Sequence, residues 1–184
     1  GGNITANAGN VTLVAAATGK TVTQTAGIIT TTGSVTGSAG AGLSLTQNNT
    51  IGGLGPYTVD VTGNITVNDV AGGLNLTGDV KAVASGTINI TTAGGALDLG
   101  AYDVTTSGNI TLNGVGINQS AGSLVDATGS LIAINANGGP VVMAGNLTTT
   151  SASNSALIIQ NATTAALGNI SVTSGTTTIG VSKD

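Results

Sequence analysis

The chain has no Cys, His, Arg, Glu, Phe or Trp, and its only aromatic residues are Tyr57 and Tyr102. Each absence removes a class of explanation. Without Cys there is no disulfide framework and no thiolate metal site. Without His there is no imidazole base or metal ligand, and without Cys there is no thiol nucleophile. Without Arg there is no bidentate clamp for phosphate or carboxylate. Charged residues are 5% of the chain, against roughly 25% in an ordinary soluble domain. The cations are Lys20, Lys81 and Lys183, and the formal charge is −4, so there is no basic footprint for a nucleic-acid backbone. No apolar run reaches the roughly 18 residues of a membrane-spanning helix. Nucleic acid and membrane insertion are therefore not expected, and no cofactor or metal is called for.

Hydrophobic residues nevertheless make up 40% of the 184 residues, accompanied by 31 Gly, 32 Thr and 18 Asn. Disordered chains show the reverse balance, poor in aliphatics and rich in charge. Helix is disfavoured throughout. Gly interrupts most windows at a cost of about 1 kcal/mol each in a helix interior, and β-branched residues and Asn fill the rest. In Asn64-Ile65-Thr66-Val67-Asn68 apolar and polar residues alternate, the period of a half-buried strand.

Such strands recur. The leading apolar residues Leu43, Ile65, Ile88, Ile110, Ile132, Leu157 and Ile179 are separated by 22, 23, 22, 22, 25 and 22 residues. Two positions further on stand Leu45, Val67, Ile90, Leu112, Ile134, Ile159 and Val181. A second series reads Val59, Val80, Tyr102, Leu124, Leu147, Ile170, and a looser third reads Leu54, Leu74, Leu97, Ile117, Val141. Three short strands thus fit each period of about 22 residues. The pattern predicts an all-β fold: a right-handed parallel β-helix (β-solenoid) in which residues 41–184 form regular rungs. Residues 1–40 belong to the same single repeat segment, in a register the sequence does not fix. The 25-residue step predicts a bulge or loop near 136–140.

A lone rung cannot stand. Six buried aliphatics contribute about 9–18 kcal/mol, whereas ordering some 22 backbones costs at least about 20 kcal/mol. Stacking supplies the difference by pairing both strand edges and burying aliphatic on aliphatic. Gly is expected at corners for its access to positive φ, and Asn for its tolerance of left-handed geometry and its hydrogen-bonding amide.

Candidate chemistry is sparse. The acids are Asp60, Asp69, Asp79, Asp98, Asp103, Asp126 and Asp184. Asp79 with Lys81, or Asp98 with Asp103, would be the remnant of a degenerate polysaccharide lyase or hydrolase; the plainer reading makes them outward residues that solubilise a neutral surface. Gly19-Lys20-Thr21 ends like a phosphate-binding loop, but the earlier glycine falls at Val14 and no helix follows, so the match is chance. Thr clusters at 21–25, 30–32, 148–150 and 176–178 raise the alternative of an ice-binding solenoid, although only one Thr position recurs in the frame, at Thr66 and Thr111. Asn-x-Ser/Thr sequons head at Asn3, Asn10, Asn48, Asn64, Asn75, Asn89, Asn109, Asn118, Asn146, Asn161 and Asn169; the repeat itself generates most of them. No catalytic, cofactor-binding or metal residue is assigned.

The units GNVTL at 9–13, GNITV at 63–67 and GNITL at 108–112, with GTINI at 86–90, GNLTT at 145–149 and GNISV at 168–172, resemble repeats of the filamentous haemagglutinin family. The resemblance covers residues 41–184 well and 1–40 loosely. It implies a β-helical shaft of a large secreted or cell-surface bacterial adhesin, exported by a two-partner or autotransporter route to the Gram-negative exterior. The expected role is then non-enzymatic, with surface glycans or proteins of host or neighbouring cells as partners and end-to-end self-association of the segment. The opening GGNITANAG starts inside a repeat unit, which suggests a piece of a longer chain. Receptor motifs that need Arg are absent, so no site residue carries over.

Overall fold

A computed structural model describes residues 2–181, all strand, turn and corner, with no helix among the described residues. Lys183 and Asp184 lie outside the described residues. Nineteen strands, paired parallel throughout, wind into a β-solenoid of about eight turns. At about 4.8 Å per turn the stack is about 35 Å tall.

Three faces run its length. The first carries β3 (Thr21–Thr23), the start of β5 (Gly42–Val59), β6 (Ile65–Asp69), β9 (Ile88–Thr92), β12 (Ile110–Asn113), β15 (Ile132–Asn135), β17 (Leu157–Ala162) and β19 (Thr177–Val181). The second carries β1 (Ile4–Thr5), the first half of β4 (Ile29–Ala39), the middle of β5, β7 (Leu74–Leu76), β10 (Leu97–Gly100), β13 (Ile117–Gln119), and the leading halves of β16 (Val141–Thr149) and β18 (Ala165–Val172). The third carries β2 (Val11–Ala15), the later parts of β4 and β5, β8 (Val80–Ala82), β11 (Val104–Thr106), β14 (Leu124–Ala127), and the ends of β16 and β18. Where a corner is short, the strand runs through it. β5 passes over all three faces in 18 residues.

The principal column is the one read from the period. Leu43, Ile65, Ile88, Ile110, Ile132 and Leu157 stand in consecutive register, every one of them essentially inaccessible to solvent. Val22 extends it downward, under Leu43. Residues 2–41 thus join the stack as regular rungs, which the sequence alone left unregistered.

Four positions differ from the sequence reading. Ile179 sits over Ile159 rather than Leu157, whose neighbour is Thr177, and Val181 sits over Ala162. The last strand is slipped by two residues because the corner before it is short. In the second series, Val80 pairs with Tyr57 and Val104, while Val59 pairs with Ala82. Tyr102 stands exposed in the turn before β11, and Val125, not Leu124, holds the inward place below Leu147. In the third series Leu54 stacks on Leu76, whereas Leu74 belongs with Leu97, Ile117 and Val141.

The 25-residue step divides among three places. The corner from Ile132 to Val141 is two residues longer than the one from Ile110 to Ile117 below it. It includes Asn137 and Gly138 at φ 46° and 84°. The run from Val141 to Leu147 is two residues shorter than that from Ile117 to Val125, because β16 crosses its corner unbroken. The net excess of three falls between Leu147 and Leu157, in the loop over 150–156.

Tyr57 is the one aromatic in the core. It stands over Gly37, whose missing side chain leaves room for the ring, and its hydroxyl donates to the Leu13 carbonyl two rungs away at 3.3 Å. Burial pushes its phenol up to about 12.

Candidate functional site

The corner before the first face is built from the recurring Gly-Asn pair. A Cβ on Gly86 would run into the carbonyl of Gly63 below, and one on Gly108 into that of Gly86. Close approach of stacked backbones fixes glycine here; only Gly63, at φ 130°, also needs the left-handed region. The asparagine clamps the next rung. Asn64 Oδ1 accepts from the Thr87 amide at 2.9 Å, and Asn109 Oδ1 from the Leu131 amide at 3.1 Å. Asn3 and Asn10 serve the Ile28 and Ser34 amides in the same way, at 3.0 and 2.9 Å. These sequon asparagines are therefore built into the frame that the repeat generates.

Buried threonines seal further corners. Thr31 Oγ1 donates to the Gly9 carbonyl at 2.6 Å and accepts from the Gly33 amide at 2.9 Å. Thr149 repeats the device with the Ser130 carbonyl and Ser151 amide, at 2.6 and 3.0 Å. Thr106 does so with the Gly86 carbonyl and the Gly108 amide.

The corner between the first and second faces holds a polar ladder that the sequence did not reveal. Gln24 Nε2 donates to Asn49 Oδ1 at 2.7 Å, and Asn49 Nδ2 donates back to Gln24 Oε1 at 3.0 Å. Asp69 lies over Asn49, and Thr92 over Asp69. Asp69 is fully buried. Its Oδ1 accepts from the Ile51 amide at 3.0 Å and its Oδ2 from the Thr92 hydroxyl at 2.9 Å. Burial pushes the Asp69 carboxyl above its ordinary value, and the Ile51 amide, the Thr92 hydroxyl and the Ala71 and Val70 amides offset this only in part. Elsewhere Asn89 Oδ1 and Gln119 Oε1 are shielded from solvent without a hydrogen-bond partner.

The acids singled out in the sequence are distributed differently from the pairs suggested there. Asp79 is joined to Asp103, one rung above: Asp79 Oδ1 accepts from the Asp103 amide at 3.0 Å, and Asp103 Oδ1 from the Leu124 amide at 2.8 Å. Asp98 turns to its own strand and to the rung above, accepting from the Gly100 amide and from Asn118 Nδ2, both at 2.9 Å. Each carboxylate is thus spent on holding a neighbouring segment. Lys81 points outward on the third face, with Thr105 above it and Asp126 above that. These residues line a shallow groove with Ala84, Ser107 and Thr128. Among the described residues no three His, Cys, Asp or Glu side chains gather. Gly19-Lys20-Thr21 forms a turn, with Gly19 at φ 74° and the Lys20 amide on the Ala17 carbonyl at 3.0 Å, and leads into strand rather than helix.

The outward side of the first face is uniform. One column reads Thr23, Ser44, Thr66, Asn89, Thr111, Ala133, Ile158, Thr178. Beside it runs Asn68, Thr91, Asn113, Asn135, Gln160. From β6 to β15 the pairing carries no register shift. Among the described residues of these strands the only charged side chain is Asp69, which is buried inside. Sequence reasoning had found the Thr66–Thr111 position but not the second column, whose members vary between Thr, Asn and Gln.

Comparison with family models, with curated proteins and with solved structures finds no match.

Proposed function

We propose that this chain is a non-enzymatic shaft segment of a secreted or cell-surface bacterial adhesin with haemagglutinin-type repeats. The observation that carries the reading is the unbroken column Leu43–Ile65–Ile88–Ile110–Ile132–Leu157, in which each rung is both roof and floor for its neighbours. A stack of this kind transmits position along its axis, because bending it means unpairing whole strands. Polar chemistry is directed to the same end: Asp79, Asp98 and Asp103 hold amides, and Asn64 and Asn109 join rungs. The mechanism is mechanical reach, with a partner-binding region carried away from the cell and weak contacts to glycans or proteins made along the shaft.

Immunogold labelling with antibody against the folded chain tests this on intact cells of the source bacterium. Label on the outer surface, removable by external protease, is the expected result. Label that appears only after permeabilisation overturns the proposal.

A further inference from the structure

The lateral faces of the stack differ in charge. The exposed or half-exposed charged side chains Asp79, Lys81, Asp98, Asp103 and Asp126 all belong to the second and third faces or the corner between them. The first face presents none on the strands it is built from, over eight rungs. What it presents is a lattice of hydroxyls and amides. Thr66, Asn89 and Thr111 repeat along the axis at about 4.8 Å, and Asn68, Thr91 and Asn113 stand beside them at about 6.6 Å across the strand. Both columns are half-buried, so their rotamers are held by neighbours, as where Asn113 Nδ2 donates to Thr91 Oγ1 at 3.2 Å.

From this lattice we infer that the first face is a binding surface for an extended, neutral, β-linked polysaccharide lying along the solenoid axis. The inference rests on the surface-exposed reading given above. Three features of the face select that ligand. A sugar ring in an extended β-linked chain advances by nearly the height of one rung, so donors and acceptors on both sides stay in step over several rungs. Hydroxyls satisfy hydroxyls and amides without net charge, and many individually modest hydrogen bonds add along a polymer. Uronate, sulfate or phosphate polymers find no cation on this face to offset their desolvation.

The test is co-sedimentation of the chain with amorphous β-1,4-glucan, with polygalacturonate as the anionic counterpart. The expected result is retention on the neutral glucan that persists at high salt, since no ion pair is involved. Thr66→Lys and Thr111→Lys, on the face, should each lower the bound fraction roughly tenfold. Thr105→Lys, an outward position on the third face, should leave it unchanged. The triple variant Thr66→Ala, Asn89→Ala, Thr111→Ala removes the groups without adding charge and should also lose retention, with thermal melting by circular dichroism confirming that each variant folds. Absence of wild-type retention, equal retention of Thr111→Lys, or equal binding to polygalacturonate overturns the inference. Surface location is read separately by immunogold, so failure here leaves the shaft reading to its own test.

Discussion

Thr92 donates its hydroxyl to Asp69 Oδ2 at 2.9 Å, joining two consecutive rungs through a carboxylate with no solvent exposure. Burial raises the folded-state pKa of Asp69, so the folded chain holds this proton to higher pH than the unfolded chain. Its contribution to stability is therefore present in acid and is lost as pH rises through the raised folded value. Asp69→Asn keeps an acceptor for the Ile51 amide, and Thr92 can accept from the new amide. The variant should match wild type at about pH 4 and exceed it at about pH 7, as read by denaturant midpoints at both values. A wild-type advantage that grows with pH would contradict the account. Asp69→Ala strands the Ile51 amide and should cost about 1–3 kcal/mol.

Ile88 and Ile158 separate the inside of the stack from the outside. Ile88 is inaccessible between Ile65 and Ile110, whereas Ile158 points outward from β17. Ile88→Ala should lower unfolding free energy by about 2–5 kcal/mol. Ile158→Ala should change it by only about 0.5 kcal/mol. Equal losses in urea titration would mean that the column is not the core.

The same Gly-Asn spelling should behave differently according to what lies beneath it. Gly108→Ala drives a methyl against the Gly86 carbonyl and should cost about 1–3 kcal/mol. Gly9→Ala meets nothing within 4 Å and should stay within about 0.5 kcal/mol of wild type. Paired melting curves decide.

At the ends of the stack Ile4, Ile179 and Val181 are each more than two-fifths exposed, and strand edges face outward beside them. Edges of this kind pair with other chains. Light scattering of the 184-residue chain should show mass rising with concentration. Ile179→Lys with Val181→Lys should reduce the rise. A monomer at high concentration would count against end-to-end stacking.

An ice-binding face requires hydroxyls in regular ranks, and here the first-face column breaks at Asn89, Ala133 and Ile158. Millimolar protein should give no thermal hysteresis. A measurable freezing gap would reverse this reading.

Strand identity, the period and the main core column follow from sequence, because alternation of two tells which side of a strand is apolar and a repeat near 22 residues tells which strands stack. Corner lengths do not follow, because Gly, Asn, Ala and Ser fill short and long corners alike. Register depends on those lengths, so the tertiary structure alone decided that Tyr102 lies outside, that Tyr57 lies inside over Gly37, and that Ile179 is displaced by two residues. It also decided which polar residues are buried. Asn49, Asp69 and Thr92 share no motif and lie about 20 residues apart in sequence, yet one turn of the coil sets each directly above the last.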